Sequence, residues 1–393
     1  MQNSHHRGHW RELVPTWLTY MTVRGKENWL PSPTCRVSAL RDFLALLRCS
    51  AISLHFSSPT IPRLHFNPEA FNMASGQDVI EFDPIAADSG ENAEGESILE
   101  STTSITSSLL EYRQIHGRTY QSSKTTEYWA PNDDKHISAF DVAHQWLTMM
   151  LSDKLYAAPI TENPSRILDV GTGTGIWAID MADAFPSAQV IGTDISPTQP
   201  SWAPPNVLFQ IDDAQLEWTF PDNSFDFIHI RYLHGAISDW PKLYAQVFRC
   251  LKPGGWFQHI EPNIELRSDN PDIPYDDNHV YKQWAKLFYD AGDKINRSFR
   301  INEDIMVGWA NSTGFTDVTH KSFKIPIGGW PKDKRLKEMG TYTALYMNMS
   351  LDGFALFPIG QILGWTLEEV QECESFPAVI YLLMWSTVAL GVT

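Results

Sequence analysis

The run Ile167-Leu168-Asp169-Val170 leads directly into Gly171-Thr172-Gly173-Thr174-Gly175, and then into a helix-like run from Ile176 to Ala184. An apolar strand, three alternating glycines and a helix in this order suit few folds. Glycine lets the chain turn tightly and lets a ligand lie against bare backbone. Nineteen residues beyond Gly175, a second apolar strand, Gln189-Val190-Ile191-Gly192-Thr193, ends in Asp194. A carboxylate at such a strand end can accept both hydroxyls of a ribose. The chain is expected to bind an adenosine-containing cofactor.

The dinucleotide fingerprint is G-x-G-x-x-G, with a pyrophosphate at a helix N-terminus. Here the spacing is G-x-G-x-G, and Asp169 stands two residues before the first glycine. That acid would repel the pyrophosphate of NAD but suits a ligand with an ammonium and a sulfonium. The pattern D-x-G-x-G-x-G resembles motif I of class I S-adenosylmethionine-dependent methyltransferases. The resemblance implies S-adenosyl-L-methionine as cofactor, held by Asp169, Gly171, Gly173, Gly175 and Asp194.

The chain beyond the motif continues the alternation. Val207 to Ile211 reads as a third strand, ending in Asp212-Asp213-Ala214. An acid followed by a small residue at this strand end resembles the place where methyltransferases hold the adenine amino group. Asp213, with Ala214 after it, is chosen over Asp212. Phe225 to Ile230 is a fourth strand, nearly continuously apolar, as a strand covered on both faces should be. A helix follows, capped by Ser238 or Asp239 with Pro241 in its first turn, and Leu251-Lys252-Pro253-Gly254-Gly255 stops it. Trp256 to Ile260 is a fifth strand ending at Glu261, and Gly314 to His320 a sixth. This pattern predicts an α/β fold with a doubly wound, Rossmann-like parallel sheet and ligands at the carboxyl ends of its strands. The class I resemblance implies seven strands, but no final strand is recognisable after Gln371.

Composition limits the function. At 393 residues the chain can hold one large α/β domain with additions, and its net charge of −17 argues against a nucleic-acid partner. Cys35, Cys49, Cys250 and Cys373 are scattered, so neither a metal site nor a disulfide framework is expected, and a cytoplasmic location fits. Phe376 to Val392 is apolar apart from Ser386 and Thr387, but short for a membrane span and without basic flanks. Residues 1–72 carry eight Lys or Arg and four Asp or Glu, whereas Met73 to Thr106 has eight acids and no Lys or Arg. The first segment reads as an organellar targeting sequence or, preferably, as sequence upstream of a true start at Met73. The second should be disordered. Residues 1–108 are therefore set apart from a methyltransferase domain over 109–371. An atypical tail, 372–393, either supplies a substitute strand through Ala378 to Trp385 or reflects a misjoined exon.

Leu110 to Arg113 and Gly117 to Tyr120 read as a short helix and an extended segment, and Ile137 to Leu151 as a helix. Tyr128-Trp129-Ala130-Pro131-Asn132-Asp133, Phe140-Asp141-Val142-Ala143-His144, Ile228-His229-Ile230-Arg231 and His259-Ile260-Glu261-Pro262, with the glycine motif, resemble the fungal LaeA-like methyltransferases. That family includes a regulator of secondary metabolism and many enzymes of fungal biosynthetic clusters. It implies that the segment bearing Arg118 and Tyr120 lies over the cofactor, where a cation could pair with the methionine carboxylate. Two activities follow from the resemblance. One is methylation of a small, aromatic secondary metabolite at O, N or C. The alternative is a regulator, nuclear in that case, acting through protein partners.

Methyl transfer is an in-line displacement that needs alignment and exclusion of water, and a base only if the acceptor must lose a proton. His234, just past the fourth strand, and Glu261, ending the fifth, are the candidate catalytic residues. His229 reads as buried and hydrogen-bonded. Arg231 reads either as a partner for an acidic substrate group or as a packing residue. Two lid segments are expected over an apolar substrate. One is an amphipathic helix over 275–290, with Tyr281, Trp284, Leu287 and Phe288 at helical spacing. The other is the stretch 332–357, rich in aromatic residues and Met.

Overall fold

The computed structural model describes residues 112–372, apart from 124, 269–275 and 278. The expectations for residues 1–108 and for the tail from Cys373 lie outside the described residues. A hairpin comes first, β1 (Arg113–Ile115) and β2 (Arg118–Tyr120). Then follow α1 (Asp134–Met150), β3 (Arg166–Val170), α2 (Ile176–Ala184), β4 (Gln189–Asp194), β5 (Val207–Ile211) and β6 (Phe225–Arg231). They are succeeded by α3 (Trp240–Cys250), β7 (Leu251–Ile260), α4 (Val280–Lys294), α5 (Glu303–Thr313) and α6 (Lys334–Ala355). A π-helical turn, Leu356–Ile362, prolongs α6, and residues 367–372 are helical again.

The strands lie in the order β5-β4-β3-β6-β7, all parallel. The chain starts at the centre with β3, runs outward through β4 and β5, and crosses back to β6 on the other side of β3. Neighbouring loops diverge there, which opens a crevice at the carboxyl ends of β3 and β6. Both faces of the sheet are covered, so Ile167 to Val170 are all buried. Leu168, Val170, Ile228 and Ile230 pack with Leu243 and Val247 of α3. Ile167 and Phe227 pack with Trp177 and Met181 of α2. Asp239 caps α3, accepting the Lys242 amide at 3.0 Å, with Pro241 in its first turn. A third apolar cluster joins α1, α4 and α6 with the π-helical turn. On α1 it uses Ala139, Ala143, Trp146, Leu147 and Met150, one face of a 3.6-residue period.

Three local readings change. The segment 110–120 forms a hairpin from Arg113 onward rather than a helix followed by a strand. His116 and Gly117 both adopt positive φ, 47° and 81°, the backbone of a two-residue hairpin turn. The lid helix predicted from Tyr275 begins at Val280, where the His279 ring accepts the Tyr281 amide, and runs on to Lys294. The sixth strand predicted over Gly314–His320 does not form, so the parallel sheet has five strands among the described residues where seven were expected. Gly314 ends α5 at φ 107° and Asp317 turns the chain at φ 53°, which interrupts an extended run. Within that segment Phe315 stacks on Phe257 at 5.6 Å and His320 Nδ1 pairs with Glu303 at 3.0 Å. Asn302 caps α5, accepting the Ile305 amide at 3.0 Å.

Candidate active site

A cavity lies in the crevice at the carboxyl ends of β3, β4 and β6. The glycine loop forms its floor, with Gly171, Thr172, Gly173 and Thr174 in the lining. Gly171 and Gly175 have positive φ, and a Cβ would fall 2.6 Å from Leu233 and 2.4 Å from Phe209 respectively. Packing as well as turning therefore demands glycine at both places. A Cβ on Gly173 would meet nothing within 4 Å, so that glycine keeps bare backbone at the cavity.

Asp194 ends β4 and lines the cavity. Its carboxylate accepts the Gly173 amide at 2.8 Å and the Ser196 amide at 2.9 Å, which ties the ends of β3 and β4 together. Burial, reinforced by the charge of Asp169, pushes its carboxyl up to about 6. Asp213 and Ala214 line the cavity beyond β5. Asp213 Oδ1 accepts the Gln215 amide at 3.0 Å, while Oδ2 is buried with no hydrogen-bond partner. Ser196 Oγ and both side-chain polar atoms of Asn132 are also lining groups buried without a partner. A buried polar atom with no partner costs free energy unless a ligand completes it. These orphan groups, the bare Gly173 backbone and the carboxylate of Asp194 together fit an adenosine with a charged tail.

Other predicted cofactor residues stand elsewhere. Asp169 is 2% exposed and absent from the lining. It accepts Thr172 Oγ1–H at 2.7 Å and pairs with His229 Nδ1 at 2.8 Å. The His229 ring stacks on Trp177 at 3.9 Å, and burial lowers its pKa, so a neutral imidazole donates to Asp169. Asp169 thus orders the loop from below. Gly175 shapes the start of α2 rather than the lining. Arg118 binds Asp133 through Nε at 2.5 Å and Nη2 at 2.8 Å, and Asp352 at 2.9 Å. Its charge is matched twice, and it clasps the hairpin to α1 and α6. Tyr120 is fully buried against Phe357 at 5.8 Å. Neither Arg118 nor Tyr120 lines the cavity. The N-terminal roof consists instead of Thr126, Tyr128, Pro131, Asn132, His136 and Phe140.

A second cavity opens beside the first, and Phe140 and Tyr232 line both. Its walls are mostly aromatic: Trp129, Trp146, Trp284, Phe288, Phe299 and Phe354. Both predicted lid segments supply part of it, Trp284 and Phe288 from α4, and Tyr346, Met347 and Phe354 from α6. Tyr232 holds the junction at φ 59°, a conformation uncommon for a bulky residue.

His234 lines this chamber, and Glu261 lies behind it. Glu261 is 4% exposed, and its two oxygens accept four hydrogen bonds. Oε1 takes the Leu233 amide at 2.7 Å and His259 Nε2 at 3.0 Å. Oε2 takes the His234 amide at 3.2 Å and His234 Nδ1 at 2.9 Å. Burial alone would raise this carboxyl, but the hydrogen bonds from His234 and His259 outweigh it and hold it at about 2. Tyr244 donates to His259 Nδ1 at 2.8 Å, which sets the His259 tautomer. With its acceptor sites filled and no place in the lining, Glu261 is a positioning residue. His234 Nε2 has no hydrogen-bond partner among the described residues and belongs to a chamber-lining ring. Trp129 Nε1 donates to the His234 carbonyl at 2.9 Å and steadies the same turn.

The arrangement is a crevice at the carboxyl ends of the strands joined to an apolar, aromatic-walled chamber. A family profile described as "Methyltransferase domain" matches residues 142–320. The chain is 40% identical over 271 residues to "Methyltransferase pytC" of Aspergillus terreus, covering 69% of this chain and 82% of that one. It is 34% identical over 257 residues to "Secondary metabolism regulator LAE1" of Cochliobolus heterostrophus, covering 64% and 83%. It is 30% identical over 283 residues to "Secondary metabolism regulator laeA" of Aspergillus fumigatus, covering 72% and 75%. The chain belongs to the fungal LaeA-like family of S-adenosylmethionine-dependent methyltransferases. Among the described residues no helix is long and apolar enough to cross a membrane.

Proposed function

We propose that this chain binds S-adenosyl-L-methionine in the crevice and methylates a small, apolar, aromatic secondary metabolite held in the adjoining chamber. The observation that carries the reading is the shared wall: Phe140 and Tyr232 line both cavities, so a donor in one meets an acceptor in the other. Asp194 would hold the ribose hydroxyls, Asp213 and Ala214 the adenine edge, and Gly171 and Gly173 the amino-acid end. When bound, the cofactor supplies an electrophilic methyl group on a sulfonium.

The residues of the chain do the rest. The aromatic walls exclude water and orient a flat acceptor. Glu261 holds His234 with Nδ1–H toward itself, which leaves the Nε2 lone pair toward the chamber. There it can take the proton of a hydroxyl acceptor as that oxygen is methylated. Among the described residues His234 is the only one of Asp, Glu, His, Lys or Arg type in the chamber lining, so a charged acceptor would be desolvated there without a counter-ion.

The relatives named as regulators motivate a second reading, in which protein partners matter more than a metabolite. The aromatic chamber beside the crevice favours the enzyme, because a regulator acting through surface contacts alone has no use for it. The test is calorimetry with S-adenosylhomocysteine, followed by methyl-transfer assays against a panel of phenolic and other aromatic metabolites. Absence of binding by folded protein, or binding unchanged in Asp194→Ala, would refute the cofactor site. Cofactor binding with methylation of a protein and of no small acceptor would favour the regulator.

A further inference from the structure

We infer that Arg231 is the residue that receives the carboxylate of the cofactor's methionine end. The inference rests on the proposed S-adenosylmethionine site and assigns a residue within it. Arg231 is the last residue of β6, at the point where the strand order reverses. It lines the crevice together with Gly171, Thr172, Gly173 and Thr174, and takes no part in the aromatic chamber. An acidic substrate group is therefore the less suitable partner.

Its neighbours explain why a ligand anion is wanted. The guanidinium makes one hydrogen bond, Nη1 to His144 Nδ1 at 3.2 Å. Arginine only donates, so His144 Nδ1 accepts, and His144 Nε2–H must donate to Asp180 at 2.8 Å. This relay fixes one edge of the guanidinium and leaves its other donors without partners among the described residues. Asp169, Asp180 and Asp141 surround it electrostatically, yet no carboxylate among the described residues lies within ion-pairing distance of 4.0 Å. Asp169 is engaged with Thr172 and His229, and Asp180 with His144. Burial lowers the pKa of Arg231, whereas Arg118 is raised by its two carboxylate partners against burial. A cation removed from water and not paired at contact is costly, and a bound carboxylate would offset that cost through two parallel hydrogen bonds.

The test compares two ligands that differ in the carboxylate alone: S-adenosylhomocysteine and its decarboxylated analogue. The wild-type protein should bind the analogue about 10- to 100-fold more weakly, the range for charge-assisted hydrogen bonds. Arg231→Gln should bind S-adenosylhomocysteine weaker by a similar factor and the analogue within about threefold of wild type. Arg118→Gln should leave the discrimination intact. The assignment is overturned if the wild-type protein does not discriminate. That comparison needs no variant and stands even if Arg231→Gln fails to fold. It is also overturned if Arg231→Gln loses both ligands by the same factor, the mark of a structural residue, or if Arg118→Gln abolishes discrimination. Binding of neither S-adenosylhomocysteine nor 5′-methylthioadenosine, which lacks the amino-acid end, would instead remove the cofactor site itself.

Discussion

Replacing Glu261 by Gln should destabilise this domain and misorient His234, and the pH dependence should show why. The native carboxylate accepts two backbone amides and two imidazoles. Those partners move its pKa from an ordinary 4.5 to about 2. The difference, roughly 2.5, corresponds to about 3 kcal/mol at ~1.36 kcal/mol per unit of pKa. Glutamine resembles the neutral acid in shape, but turns an amide donor toward groups that are themselves donors. Glu261→Gln should therefore lose about 3 kcal/mol at pH 7, roughly 6–12 °C in melting temperature for a domain of this size. The sign follows from linkage. The depressed carboxyl contributes its stability in full above about 4.5, and loses it as pH falls from there toward about 2. Urea unfolding of wild type and variant at pH 7, 5, 4 and 3.5 should show a gap that is constant above pH 5 and narrows below 4.5. A gap under about 1 kcal/mol at pH 7, or one that does not narrow in acid, would refute the argument. In the same variant, methyl transfer to a hydroxyl acceptor should fall while affinity for S-adenosylhomocysteine holds.

Other outcomes are expected from the same geometry. The Asp194 carboxyl is pushed up to about 6, so ribose binding through its ionised form should strengthen as pH rises through 6. Titration calorimetry from pH 5 to 8 should show this slope in the wild type and a flat, weak response in Asp194→Asn. His234→Gln should cut methylation of a hydroxyl acceptor by about 10²–10⁴-fold, the range for removal of a general base, with cofactor affinity kept. A rate that is unchanged would mean that the acceptor needs no base. The residues lining both cavities begin at Thr126, so a chain starting at Met73 should keep its melting temperature and its cofactor affinity. A loss of either would give residues 1–72 a structural role.

The central strands could be read because their information is local. Ile167–Val170 and Phe225–Ile230 are apolar runs bounded by turn residues, and a strand buried on both faces needs little else. The same holds for Asp194 and Asp213, which sit at strand ends within the motifs that announce them. What failed to show were features decided by distant partners. Arg118 looks like a free cation in sequence, and only the fold brings Asp133 and Asp352 to it. Arg231 reads in sequence either as a partner for an acidic substrate group or as a packing residue, and only the fold shows that its guanidinium donates to His144. His234 and Glu261 both stand at strand ends and look alike as bases, until four hydrogen bonds to Glu261 separate their roles. Acceptor choice is less local still. Trp129 comes from the N-terminal segment, Trp284 and Phe288 from α4, and Tyr346 and Phe354 from α6. Those walls have no part in the sheet. Exchanges such as Phe354→Leu or Met347→Phe should therefore shift the preferred acceptor at little cost to the crevice where the cofactor is proposed to bind, which is how one cofactor-binding sheet can serve many substrates.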